Sequence, residues 1–488
     1  MENDVELRVA GIRQRIENNA SIESDLQELL DFLPNCEYEL ISFMVTQKVW
    51  KGSIPLPPPD YSPGDGSVDL GLFLYWLNNP DQLDLSMFTP LERLEIDLLI
   101  AVLDETLASS LMTAQNAAYF STNELIYTDG GVLSTKKYAT YDQGWFIAFL
   151  NLVETLINDL WYYGEDFPST KPPVITLTGQ AINSVRIAIL GDCGTGDVVL
   201  ESILKNITLQ NPDYIIHVGD VYYAGTPSSR CANAGKYFFP GEEGINLLKL
   251  WPVSATGKSF TLNSNHEMYS GANGYFCDAL GSRSSGVFFS AQQGSSCFAL
   301  QCGGWTILGL DTAYMGSVTD AFMTGSIGGA GGTQGQWISS LNPDPAKTIV
   351  LTHHNGFEPD CSAVSPLWAE IAGALGGDPY AWYWGHVHNG IAYQSPITIP
   401  PTAKLPGLTT KTFARCLGHA ALPYGPSPAL DGKPILWKAS NLKPASKELY
   451  NGFAMLTLSL DTSGKVNGIL ESFFDLSSRS EVWKNKVF

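Results

Sequence analysis

Five short patches of this 488-residue chain each set an oxygen or imidazole donor just past an apolar run. They are Gly191-Asp192-Cys193-Gly194, Gly219-Asp220-Val221-Tyr222-Tyr223, Asn265-His266-Glu267, Val350-Leu351-Thr352-His353-His354 and Gly385-His386-Val387-His388. Five of the seven histidines fall in the last three patches. Asp, Asn and His are donors that suit first-row transition metals of intermediate hardness. A carboxylate at a strand end points into the crevice where sheets bind ligands, and a neighbouring glycine lets backbone and ligand approach. His386 and His388, two apart, face one way on a strand and reach adjacent metals from a loop. Any one patch alone is a chance pair; five in this order point to a metal-pair centre. The other two histidines read differently: His217 as a core residue and His419 as one that shapes a loop.

The elements that must position these donors are visible as texture. From about residue 185 onward, short β-branched runs bounded by Gly, Asp and Asn predict strands over 185–190, 214–218, 306–310, 348–351, 435–439 and 452–460. Helical stretches over 197–209 and 334–341 lie between them, giving a mixed α/β domain. Before residue 164 the apolar spacing is helical instead, as in Leu91, Leu94, Leu98 and Val102, with Thr89-Pro90-Leu91-Glu92 as a helix start. A proline-rich loop over 52–64 interrupts these helices, and a last amphipathic run over 143–163 stops at Gly164. The expected organisation is a helical domain over 1–165, a linker over 166–183 carrying Pro168, Pro172 and Pro173, and a catalytic domain over 184–488. The glycine-rich stretch 324–332 lacks the Gly-Lys-Ser/Thr ending of a phosphate-cradling P-loop and reads as a flexible loop near the site.

The order Gly-Asp-x-Gly, Gly-Asp-x-x-Tyr, Asn-His-Glu, Val-x-x-His, Gly-His-x-His resembles the calcineurin-like metallophosphoesterases, and within them the purple acid phosphatases, over roughly 184–425. Gly194 stands where general members carry a histidine, and Tyr223 appears instead, the exchange typical of that branch. The resemblance implies an α/β sandwich of two mixed β-sheets flanked by helices, here preceded by an all-α N-terminal domain with no counterpart. It implies two metal ions, Fe(III) with a divalent Fe, Zn or Mn. Asp192, Tyr223 and His388 would hold the first, Asn265, His353 and His386 the second, and Asp220 would bridge them. His266 would assist the leaving group, Glu267 would orient its imidazole as carboxylates around metal sites commonly do, and His354 would stand behind. The implied reaction is hydrolysis of phosphate monoesters, in which two cations clamp phosphate oxygens and acidify a water. Ser264, where the family has glycine, and the lack of a further histidine after His353 keep a phosphodiesterase or nucleotide hydrolase open; a non-catalytic module on the same fold is the third reading.

Composition bounds the partners. The net charge is -21, and residues 1–172 carry 27 acidic against 9 basic side chains, which disfavours duplex nucleic acid and anionic membranes. A phosphate ester is the expected substrate, and the helical front half could be a lid over the cleft or the docking surface of a protein partner. The first residues lack the basic start and apolar run of a secretory signal, which favours a cytoplasmic location. No apolar stretch approaches the roughly 20 residues of a spanning helix. The eight cysteines form no Cys-x-x-Cys pair and are expected mostly as buried thiols; in an exported protein a disulfide would be sought over 231–302.

Overall fold

The computed structural model describes residues 148, 151–152, 154–155, 160–162 and 171–488, the last range without 282–287, 319–320, 404, 423–429, 442–448 and 477–480. The expected all-α domain therefore lies almost wholly outside the described residues, as does Cys36.

The strands are β1 (Val174–Thr176), β2 (Ser184–Leu190), β3 (Tyr214–His217), β4 (Ser259–Thr261), β5 (Phe298–Cys302), β6 (Trp305–Gly309), β7 (Thr348–Thr352) and β8 (Ala381–Trp384). They continue with β9 (Gly390–Tyr393), β10 (Ile397–Ile399), β11 (Leu408–Thr410), β12 (Phe413–Leu417), β13 (Ile435–Lys438), β14 (Gly452–Leu460), β15 (Val466–Asp475) and β16 (Glu481–Lys486). The helices used below are α1 (Val198–Leu209), α2 (Asn265–Met268), α3 (Thr333–Leu341) and α4 (Pro366–Leu375).

Alternation along β2 shows how two layers arise. Val185, Ile187 and Ile189 enter one apolar cluster, whereas Ala188 and Leu190 enter another, as the two-residue period of a strand requires. The first set meets Ile216, Phe260, Phe298, Leu300, Ile307, Ile349, Leu351 and Tyr383, the packing between a six-stranded sheet (β16-β15-β14-β2-β3-β4) and an eight-stranded one (β1-β5-β6-β7-β8-β12-β9-β13). The second set packs with Val199, Leu200, Ile203, Leu204 and Ile207 of α1. On the far face, Leu308, Val350, Trp382 and Trp384 pack with Ile338 of α3 and Leu367, Trp368 and Ile371 of α4. Both sheets are mixed: β2, β3 and β4 run parallel, as do β6, β7, β8 and β12, while β14 and β9 join antiparallel. This is a mixed α/β arrangement of two packed sheets flanked by helices. Its helices start where the chemistry says: Asp197 caps α1 by accepting from Val199 and Leu200 amides, and Ser365 caps α4 ahead of Pro366.

One buried ion pair crosses the sandwich. Arg415 of β12 and Glu471 of β15 are both fully buried, and Tyr383 Oη and Asn485 Nδ2 also donate to that carboxylate. From residue 185 onward, the expected strands and helices agree with those observed to within about two residues at either end. Two features differ from expectation. Within the expected linker, Val174–Thr176 forms an edge strand parallel to β5. The glycine-rich stretch is pinned, not loose: the Glu370 carboxylate accepts from Ser326 Oγ and from the Ile327 and Gly329 amides, and Ile327 is buried. The disulfide Cys231–Cys277 falls inside the range expected for one, and Cys193, Cys297, Cys302, Cys361 and Cys416 are buried thiols.

Candidate metal centre

Parallel strands place their C-terminal ends together, and the donors follow those ends: Asp192 after β2, Asp220 after β3, Asn265 after β4, His353 after β7, His386 and His388 after β8. The chain turns sharply there. Asp192, Asp220, His386 and His388 all have positive φ, a conformation that costs non-glycine residues energy and concentrates at functional sites. Glycine is needed beside them. A Cβ at Gly385 would fall 2.3 Å from Asp192 Oδ2, and one at Gly194 would fall 2.6 Å from Val221 Cα. Position 194 thus has no room for the histidine that general members carry.

The donors gather into two clusters sharing one carboxylate. In the first, Tyr222 Oη lies 2.7 Å from Asp220 Oδ2 and 3.0 Å from His388 Nε2, and His388 Nε2 lies 3.4 Å from Asp192 Oδ1. In the second, His353 Nε2 lies 2.8 Å from Asn265 Oδ1, 3.2 Å from His386 Nδ1 and 3.3 Å from Asp220 Oδ1. His353 Nδ1 is 2.9 Å from the Val218 carbonyl, which can only accept, so the proton of the neutral ring sits on Nδ1 and Nε2 presents a lone pair. Four lone-pair atoms therefore converge on one point. A cation relieves that crowding; a hydrogen from His386 relieves it in part.

Electrostatics favour the same reading. Burial pushes His353, His386 and His388 below the usual histidine range, leaving them as neutral ligands. Burial first, and then the Asp220 charge, raises Asp192 well above the carboxylate range. Asp220 keeps its charge: burial opposes this, but His353, His266 and His388 hold it low. Among the described residues neither Asp192, Asp220 nor Glu267 pairs with lysine or arginine, so the site lacks the positive charge that metal ions bring. Asp192 Oδ1 and His388 Nδ1 have no hydrogen-bond partner although buried. The residues present fit two metal ions.

Two expected roles come with contacts unlike those expected, and His354 stands behind His353 and His386 as expected. A phenol contacts Asp220 and His388, that of the fully buried Tyr222, and the main chain of Tyr223 reaches the site too: its amide donates to Glu242 and its carbonyl lies 2.6 Å from His266 Nδ1. The Glu267 carboxylate is turned to Ser264. Its Oε2 lies on Ser264 Oγ and its Oε1 has no hydrogen-bond partner, while the His266 ring is held by the Tyr223 carbonyl and lies edge-on to Tyr222 and Tyr269. His354 is fully engaged, with Nδ1 2.9 Å from Thr312 Oγ1 and Nε2 2.7 Å from the Phe322 carbonyl. It fixes the loop that lays Met323 against Asn265 and Tyr269. His217 is buried on Thr261, and His419 is buried with both ring nitrogens lacking hydrogen-bond partners.

Residues from the front half reach this region. Asn151 exchanges hydrogen bonds with the Phe238 main chain, Thr155 Oγ1 donates to the Tyr269 carbonyl, the Leu160 carbonyl accepts from Asn273, and Trp161 lies edge-on to Phe322. Asn151, Thr155, Leu160 and Trp161 thus pack on the segments around α2 and Phe322. No helix among the described residues is long and apolar enough to cross a membrane.

A comparison with curated protein sequences gives no match. Among solved structures, one titled "GAP50 the anchor in the inner membrane complex of Plasmodium" is similar over 62% of this chain and 88% of that one, with 11% identity and a TM-score of 0.42. The family model described as calcineurin-like phosphoesterase matches residues 185–390, the span that holds both donor clusters. Residues 185–390 are a calcineurin-like phosphoesterase domain.

Proposed function

We propose that this protein is a dinuclear metal-dependent phosphohydrolase that cleaves phosphate monoesters in the manner of purple acid phosphatases. The observation that carries the reading is the single Asp220 carboxylate, with Oδ2 toward Tyr222 and His388 and Oδ1 toward His353. Asp192, Asp220, His388 and Tyr222, in place of the expected Tyr223, would hold one ion; Asp220, Asn265, His353 and His386 would hold the other. Two bound cations supply Lewis acidity, drawing charge from the phosphate and acidifying water. An Fe(III) with a divalent Fe, Zn or Mn matches a donor set of phenol, carboxylate, amide and imidazole.

The chain's own part is positioning and proton transfer. Tyr222 and Asp220 are locked to each other and to His388, so the first cluster is preorganised. His266 has its Nδ1 proton committed to the Tyr223 carbonyl, which makes Nε2 the atom that acts on the leaving oxygen. A positioned acid of this kind contributes roughly 10² to 10⁴-fold. Burial of the donors keeps water from screening these interactions. The monoester preference rests on the likeness of the motif order. The test is hydrolysis of a chromogenic monoester and diester, side by side from acidic to neutral pH, by metal-replete protein and by Asn265→Ala. Monoester turnover that vanishes in the variant is expected; diester preference would move the protein to the phosphodiesterase class, and full activity in Asn265→Ala would refute the ligand assignment.

A further inference from the structure

Ser264 stands where the family has glycine, and it sits at the meeting point of two carboxylates. It precedes α2 in extended conformation, and its Oγ accepts the His266 amide at 3.1 Å as a helix N-cap. The same oxygen is in hydrogen-bond contact with Asp220 Oδ1 and with Glu267 Oε2, all three side chains being fully buried or within 1% of it. The terminal torsion of an aspartate is soft, so its carboxylate plane needs an external tether. On the Oδ1 side, the remaining named neighbour is His353 Nε2 at 3.3 Å.

We propose that Ser264 is a positioning residue for the metal centre: its hydroxyl, backed by Glu267, fixes the plane of the Asp220 carboxylate so that its two oxygens face the two donor clusters at once. The inference rests on the dinuclear reading above. Because the carboxylate is one rigid plane, releasing Oδ1 also misaims Oδ2, and both ions are affected together. Glu267 acts through Ser264 and not on His266. A ligand held by one cluster behaves otherwise, since loss of Asn265 disturbs the second cluster alone.

Ser264→Gly separates this role from capping, because glycine is nearly as good an N-cap as serine while lacking the hydroxyl. The experiment is calorimetric titration of Mn(II) or Zn(II) into metal-stripped wild type, Ser264→Gly, Glu267→Gln and the double variant, with melting of the stripped proteins as the fold control. Partners of metal ligands are typically worth 10- to 100-fold in affinity. We expect both dissociation constants to rise at least about tenfold in Ser264→Gly, and the double variant to be no weaker than Ser264→Gly. Wild-type affinities in Ser264→Gly, or weakening of one ion only, overturn the proposal, and additive losses in the double variant overturn the route through Ser264. A wild-type protein that takes up fewer than two ions defeats the dinuclear reading itself, which the variants do not test.

Discussion

Tyr222→Phe removes one oxygen and keeps the ring, so it opens no cavity in a site where the side chain is fully buried. That oxygen contacts Asp220 Oδ2 at 2.7 Å and His388 Nε2 at 3.0 Å. Without it, the nearest named partner of Oδ2 is His388 Nε2 at 3.7 Å. A partner of a metal ligand is typically worth 10- to 100-fold in affinity, so loss of an oxygen that itself holds the ion should weaken the ion on that side by at least about 100-fold. Tyr223→Phe keeps the amide that donates to Glu242 and the carbonyl that holds the His266 ring, and should stay within about twofold. The assay is iron loading followed by elemental analysis and visible absorption, where a phenolate on Fe(III) gives a charge-transfer band. The band should vanish in Tyr222→Phe and persist in Tyr223→Phe. The reverse pattern would refute the contact argument and restore the tyrosine that motif spacing selects.

His266→Ala should lower kcat by roughly 10² to 10⁴-fold while both metal ions remain bound, checked by steady-state kinetics beside metal analysis; loss of metal would make it a ligand instead. His419 is buried without a hydrogen-bond partner, and burial pushes its pKa down to about 3. The unfolded chain therefore binds one proton more between pH 6.5 and 3, so this group's contribution to stability is full above about 6.5 and declines as pH falls. His419→Leu should lose about 2 kcal/mol less stability than wild type between pH 7.5 and 5, read from urea unfolding at both values; equal losses would contradict a neutral buried ring. Arg415→Met leaves the buried Glu471 without its guanidinium and should cost about 3–5 kcal/mol in the same assay, with Glu471→Leu added to it recovering a large part.

Of the strands that carry the donors, β2, β3 and β7 were readable because apolar β-branched runs ending in Gly-Asp or a histidine pair are local signals, whereas the short β4 and β8, which lead to Asn265 and to His386 and His388, were not. What stayed hidden is set by contacts between distant residues. Nothing near Tyr222 says that its ring turns toward His388, which lies 166 residues on. Glu267 follows His266 directly and so invites the role of its orienting carboxylate; the helix turn instead carries it back onto Ser264. Glycines over 324–332 suggest looseness, but Glu370 ties their amides from more than 40 residues away. In the front half, the placement of Asn151 and Thr155 against Phe238 and Tyr269 has no local signature, since an amphipathic helix announces only that one face is covered.

Anomalous diffraction from a metal-loaded crystal tests the central claim most directly. Two peaks roughly 3.5–4 Å apart, with Asp220 between them and Asn265 and His353 on one side only, are the result this account predicts. One peak, or two that do not share Asp220, would contradict it.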